Sequence, residues 1–171
     1  MAGNELPEPW LRGTLKEVPA VQRAVLHALE LADQDLRRWC GGLTDQQMNA
    51  RPSGLPSAAF HLRHIARSLD RLLTYAEGRS LSDKQLTGLK AESDPKASRD
   101  ELLSELERAI NQSAVRVRAF DIGELEQSRS VGKRHLPTTV AGLLVHVADH
   151  TQRHVGQAIT TAKIVAALPG L

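Results

Sequence analysis

The sequence predicts an all-α protein built as a four-helix bundle. Three observations lead to this prediction: four long segments repeat apolar residues every three or four positions, no segment alternates convincingly as a strand, and no internal repeat is present. A period of about 3.6 residues is typical of helices that bury one face, and four such helices can close a bundle. The chain has 171 residues, 41% of them hydrophobic, which suits one core and a single domain over residues 1–171.

The first long helix follows an irregular lead-in over residues 1–14, which carries Pro7, Pro9 and Gly13. We expect Trp10 of this lead-in to pack onto the body of the protein. The apolar stripe of the helix runs from residue 18 to Trp39, and Gly41-Gly42 provides a helix stop. These features predict one buried helical face near the start of the chain.

Serine and threonine residues mark the starts of further helices. A serine or threonine followed three positions later by glutamine or glutamate forms a capping box, and this pattern begins at Thr44, Ser82 and Ser98. The first two boxes open short helices, and the third opens the third long helix. Ser57 caps the second long helix, which ends at Gly78.

The connections leave the order of the helices in the bundle open. Short connections favour antiparallel neighbours, but the link over residues 79–97, which includes Asp94-Pro95, is long enough to cross the bundle. Residues 122–137 are mixed and polar, and fit either a β-hairpin-like loop or an ordered coil. Pro137-Thr138-Thr139 then caps the fourth long helix, which continues to Pro169-Gly170.

Charge and cysteine content limit the classes of partner and compartment. The 22 basic and 20 acidic residues are interspersed and give a net charge of +2, so we expect no nucleic-acid partner. The single cysteine, Cys40, cannot form an internal disulfide, which suits a reducing compartment. The first residues lack the pattern of a signal peptide, and no segment is apolar enough to span a bilayer. We therefore expect a cytoplasmic protein that does not bind membranes.

Three histidines lie at successive spacings of four residues in the fourth long helix: His146, His150 and His154. Residues four apart on a helix lie within about 6 Å of each other, so two such imidazoles can bind one metal ion. The apolar face of this helix comprises Leu144, Val147, Thr151, Ala158, Ala162 and Val165. At about 100° per residue, His154 lies about 50°, His150 about 90° and His146 about 130° from the centre of this face. This geometry predicts that His150 and His154 point inwards and that His146 lies outside.

A third ligand has to come from another helix, and the second long helix offers His61 and His64. The helical wheel places His61 near the edge of the apolar stripe and His64 further round, so the wheel favours His61. Both could reach a site at an open end of the bundle. The zinc-protease pattern H-E-x-x-H is absent, because Val147 follows His146 and Thr151 follows His150.

These motifs resemble those of the DinB-like family of bacterial four-helix bundles, whose members carry a divalent metal on a histidine triad. The resemblance extends from about Trp10 to Ala167. It is best marked at Pro56-Ser57 with residues 61–68, and at residues 146–157, which end in Gly156-Gln157. The metal ligands that it implies, position by position, are His64, His150 and His154, with His61 and His146 as alternates.

The resemblance also implies a function. It indicates a DinB-like bundle with long crossover connections and a divalent transition metal, and three imidazoles do not discriminate nickel, zinc and iron. Three protein ligands leave positions open for a reaction. Because DinB-like proteins include thiol transferases and isomerases, our leading hypothesis is a homodimeric, metal-dependent S-transferase that uses a low-molecular-weight thiol as its small-molecule substrate, or a related hydrolase or isomerase. The alternative is a non-enzymatic metal-binding or stress-response interaction protein. Cys40 shows no activating base nearby, so we do not expect it to be the nucleophile.

Overall fold

The computed structural model describes residues 6–93 and 96–170. Over these residues it contains six α-helices: α1 (Ala20–Cys40), α2 (Asp45–Asn49), α3 (Ala58–Ala76), α4 (Asp83–Lys90), α5 (Arg99–Arg118) and α6 (Val140–Ala167). Strands β1 (Ser128–Val131) and β2 (Leu136–Thr139) form a small antiparallel sheet in which Ser128 pairs with Thr139. Single 3₁₀ turns occupy Pro9–Leu11, Pro52–Gly54 and Ile122–Glu124. The predicted all-α bundle is confirmed, with the sheet as a minor addition.

The predicted caps fix the helix starts. In the capping box of α2, the Thr44 hydroxyl accepts from the Gln47 backbone N–H, and the Gln47 side chain accepts from the Thr44 backbone N–H. Ser82 and Ser98 open α4 and α5 in the same way. The Ser57 hydroxyl accepts from the Phe60 N–H at 3.1 Å at the start of α3. Each such cap typically stabilises its helix by about 1 kcal/mol.

The four long helices surround one core in the cyclic order α1, α6, α3, α5. Each packs against its two neighbours in this order, so α1 lies diagonally opposite α3 and α5 lies diagonally opposite α6. The connections over residues 41–57 and 119–139 therefore make the diagonal crossings. The long link between α3 and α5 joins neighbouring helices instead of crossing the bundle. Asp94-Pro95 in this link lies outside the described residues.

Buried aliphatic side chains from all four long helices form the core, and burying one leucine or valine side chain fully is worth about 1.5–3 kcal/mol. The apolar face of α6 that the sequence predicted is buried throughout: it comprises Leu144, Val147, Thr151, Ala158, Ala162 and Val165. None of the helices in the described ranges has the length and apolar character of a membrane span.

Both tryptophans depart from the sequence predictions. Trp10 is 62% exposed and donates from Nε1 to Glu8 Oε2 at 2.7 Å, so it does not pack onto the body as expected. Trp39 is 36% exposed, with Lys163 Nζ 4.1 Å from its ring centroid. The buried stripe of α1 ends instead with Leu36 and Cys40, because the last turn of the helix carries Trp39 to the rim of the bundle.

Candidate metal centre

Helices α3 and α6 pack side by side and bring three histidines together. One ring nitrogen each from His64, His150 and His154 lies within 4.8 Å of the others. The Nε2 atoms of His64 and His150 are 3.3 Å apart. Two nitrogens bound to one ion at about 2.0–2.1 Å, at angles between 90° and the tetrahedral value, are roughly 2.9–3.4 Å apart. The donor set and the spacing of this group therefore fit a transition-metal ion.

His61 lies beside this group and contacts one of its members. Its Nδ1 is 3.1 Å from Nδ1 of His154, so one ring donates and the other accepts. His61 is only 3% exposed. This hydrogen bond fixes the ring of His154 and leaves Nε2 as the remaining ring nitrogen of His154 for a ligand. The structure thus places His64 within the converging group, and His61, which the helical wheel favoured, in contact with His154.

His146 lies outside the group, as its position on the helical wheel indicated. Its side chain is 44% exposed, and its ring meets the His150 ring edge-on with centroids 5.3 Å apart. Nδ1 of His146 is 3.7 Å from Asp149, whose carboxylate accepts a 2.6 Å bond from Arg153. Asp149 therefore belongs to a surface ion pair of α6.

Glu92 and Arg71 extend the site beyond the histidines that the sequence singled out. Glu92, which follows α4, is 4% exposed, and its Oε2 accepts from the Nδ1–H of His64 at 2.7 Å. Its other oxygen accepts from the buried guanidinium of Arg71. A carboxylate on the outer nitrogen of a histidine fixes its tautomer and orientation. Here it leaves a lone pair on His64 Nε2, the atom nearest to His150.

One feature of the sequence could have pointed to this network. Arg71 follows His64 by seven residues, two helical turns, and so lies on the same side of α3. A guanidinium on the same side of a helix as a candidate metal ligand needs an anion as partner if the fold buries it. The sequence could not identify Glu92 as that anion, because it is one of several acids in the connection between α3 and α5 and meets His64 only when the bundle closes.

Burial sets the charge state of the imidazoles. Together with a smaller effect of the neighbouring imidazoles, it lowers the pKa of His61, His150 and His154 from 6.5 to about 4. These rings are therefore neutral near pH 7, the form that binds metals. Burial would raise the pKa of Glu92, but hydrogen bonds from His64 and Arg71 outweigh it and hold the pKa below its usual value. Glu92 is therefore an anion at the edge of this group.

Other residues of the motifs have simpler environments. The ring of Phe60 stacks on His64, with centroids 5.4 Å apart, and forms a wall of the group. Gly156 and Gln157 are exposed, and a Cβ atom at Gly156 would meet no neighbour within 4 Å.

The single cysteine lies in the core and not in the site. Burial raises the pKa of the Cys40 thiol to about 12, which agrees with an unreactive core residue.

The bundle and its converging histidines define the class of protein, and sequence comparison gives the family. Residues 28–158 match the family model of the DinB superfamily, and the chain belongs to this superfamily. The resemblance stated from the motifs is thereby confirmed.

A solved structure shares the fold. It is described as "YfiT from Bacillus subtilis is a probable metal-dependent hydrolase with an unusual four-helix bundle topology", and it superposes with a TM-score of 0.64 at 15% sequence identity. The alignment covers 85% of this chain and 87% of that chain. No sequence among the curated proteins matches this chain significantly.

Proposed function

We propose that this protein is a divalent-metal-dependent enzyme that joins a low-molecular-weight thiol to a small electrophile. In this proposal His64, His150 and His154 hold the ion, which is nickel, zinc or iron, since imidazole suits all three. The observation that supports it is the convergence of three ring nitrogens, from two different helices, within 4.8 Å of one another.

The choice of a thiol rests on the acidity of the possible nucleophiles. A divalent ion with an open position lowers the pKa of a bound thiol or water. A thiol begins at a pKa of about 8.5 and water at about 15.7, so the thiol is ionised by a much smaller shift. Glu92 is engaged by His64 and Arg71, and Asp149 by Arg153, so neither carboxylate is available as a general base. Thiol activation needs no such base.

The surrounding residues orient the reaction. Glu92 keeps the proton of His64 on Nδ1, so that Nε2 faces the centre, and His61 fixes the ring of His154. The proton of the thiol passes to solvent, a bond forms between sulfur and the electrophilic carbon, and the leaving group departs with the bonding electrons. Phe60 shields one side of His64.

Hydrolysis is the second candidate, and one specific observation favours it. The Bacillus subtilis protein that shares the fold is described as a probable metal-dependent hydrolase. In a hydrolase, water would take the position that we assign to the thiol.

Metal analysis of purified protein tests the ligand set. We expect wild type to hold about one equivalent of metal and a His150→Ala/His154→Ala variant to hold little. The matched control is His135→Asn, which removes an exposed histidine from the hairpin. Equal metal contents in wild type and the double variant would show that these histidines are not the ligands.

Turnover assays separate the activities. Metal-loaded protein is mixed with monochlorobimane and either cysteine or glutathione, and separately with an activated ester in the absence of thiol. We expect thiol conjugation by wild type and His135→Asn, and none above background by the double variant. Ester turnover alone would support the hydrolase. No turnover in either assay, at full metal content, would contradict both the thiol-transfer and the hydrolase proposals and would favour a non-enzymatic metal-binding role.

A further inference from the structure

A second concave site lies between α3, α4 and α5. It is a cleft of about 620 Å³, and its described lining does not include the converging histidines. Small-molecule sites typically have volumes of about 300–1,000 Å³. Six basic side chains line the cleft, against two acidic ones. The basic residues are Arg67, Arg71, Arg79, Lys84, Arg108 and Arg116, and the acidic residues are Asp70 and Glu105.

Four of the arginines are already neutralised by carboxylates. Arg67 pairs with Glu105 at 3.0 Å, and Arg116 pairs with Asp70 at 2.8 Å and with Glu77 at 2.6 Å. Arg71 and Arg79 pair with Glu92 and Glu77. The four carboxylates Asp70, Glu77, Glu92 and Glu105 balance four of the six cations, so the cleft retains a surplus of two positive charges.

The surplus comes from Lys84 on α4 and Arg108 on α5. Neither makes an ion pair with any residue in ranges 6–93 and 96–170, and Asp83, next to Lys84, does not line the cleft. The two cations belong to different helices that border the same space. An anion bound between them would be attracted from two sides.

Ser113 on α5 adds a hydrogen-bond donor to this space. It lines the cleft, its residue is only 2% exposed, and its hydroxyl makes no hydrogen bond to another described residue, so it is free to donate into the cleft. The neighbouring buried hydroxyl of Thr74 contrasts with it, since it donates to the Asp70 carbonyl at 2.8 Å. A ligand oxygen in the cleft would accept a hydrogen bond from Ser113.

We propose that this cleft binds a small molecule through an oxyanion, a phosphate or a carboxylate, which Lys84 and Arg108 neutralise and Ser113 hydrogen-bonds. Arginine presents a planar fork of donors that matches both kinds of oxyanion. Arg71 lines the cleft and also holds Glu92, so the cleft borders the network around His64. The oxyanion site stands independently of the proposed metal chemistry.

Calorimetric titration with glycerol 1-phosphate and with succinate tests the proposal and distinguishes its two chemistries. We expect wild type to bind at least one of the probes, and a Lys84→Gln/Arg108→Gln variant to bind it about tenfold more weakly. Ser113→Ala should weaken binding by about tenfold. Its melting temperature should not fall, because the hydroxyl has no partner to lose.

Two further variants locate the binding. Arg51→Gln/Arg134→Gln removes two exposed cations elsewhere and should change the affinity less than twofold. The His150→Ala/His154→Ala variant should bind the probe as wild type does, which excludes binding at the metal centre. The proposal is overturned if neither probe binds at millimolar concentration, if Lys84→Gln/Arg108→Gln binds like wild type, or if either locating variant loses binding.

Discussion

Replacing Glu92 by glutamine is the most direct perturbation of the network around His64. The amide oxygen can still accept a hydrogen bond but carries no charge. The Nδ1–H of His64, now 2.7 Å from a carboxylate oxygen, would lose its charged acceptor. The loss of such an outer partner typically weakens metal binding by about 10–100-fold. We expect a loss in that range for Glu92→Gln.

The same substitution also destabilises the fold. Glu92 is 4% exposed and Arg71 is 8% exposed, so removing the carboxylate leaves a buried guanidinium without its counter-ion. Breaking one side of a buried ion pair costs about 3–5 kcal/mol, and the small remaining exposure of Arg71 places the expected loss near about 3 kcal/mol. Urea unfolding of the metal-free protein at pH 7, followed by circular dichroism, measures this free energy, and competition with a chromophoric chelator measures the metal affinity.

Two further variants separate the effect of Glu92→Gln on metal affinity from its effect on stability. Glu107→Gln breaks a surface pair, in which Glu107 lies 3.1 Å from Arg37 with 55% of its side chain exposed, so it should cost at most about 1 kcal/mol and leave metal affinity unchanged. Arg71→Gln/Glu92→Gln removes both buried charges and should recover part of the stability, while metal affinity stays low because His64 still lacks its carboxylate. Wild-type metal affinity in Glu92→Gln would refute the role that we assign to Glu92.

Two other predictions follow from the buried titratable groups. The pKa of His61, His150 and His154 is about 4 in the folded state against an ordinary value of 6.5, so the unfolded chain binds more protons between these values. The stability of metal-free protein should therefore be complete above pH 6.5 and fall as the pH drops towards 4. The fall should be smaller in His61→Asn, and equal urea midpoints at pH 7 and pH 5 would contradict this prediction. The Cys40 thiol, with a pKa of about 12, should react with a thiol reagent at pH 8 on the order of a thousandfold more slowly in the folded than in the unfolded protein. Comparable labelling rates, with and without urea, would show that the thiol is accessible.

Local signals in the sequence predicted the helices well. The caps at Thr44, Ser57, Ser82 and Ser98 depend on hydrogen bonds that reach only three residues along the chain, and each is present. The buried face of α6 follows from helical periodicity alone. The order of the helices around the core could not be obtained in this way, because periodicity shows which face is buried and not which helix covers it.

The candidate site was accessible to sequence reasoning only in part. Helical drift separated His150 and His154 from His146, because all three lie on one uninterrupted helix. The wheel of α3 favoured His61 over His64, because it measures angles from the centre of that helix's own apolar stripe. The histidines converge to one side of this stripe, towards α6 and Glu92, where the ring of His64 reaches the group. The position of Glu92 next to His64 depends on how the connection after α4 folds back onto α3.

The packing of α3 beside α6 has a consequence for biosynthesis. His64 and His150, whose Nε2 atoms lie 3.3 Å apart, are separated by 86 positions along the chain. Between them the ribosome has to produce α4, α5, the hairpin and the start of α6, and contacts between such distant positions form slowly. A nascent chain that ends before α6 presents His64 without the imidazoles that face it in the finished bundle. With the ligand set proposed above, metal uptake would report that synthesis and folding of the bundle are complete.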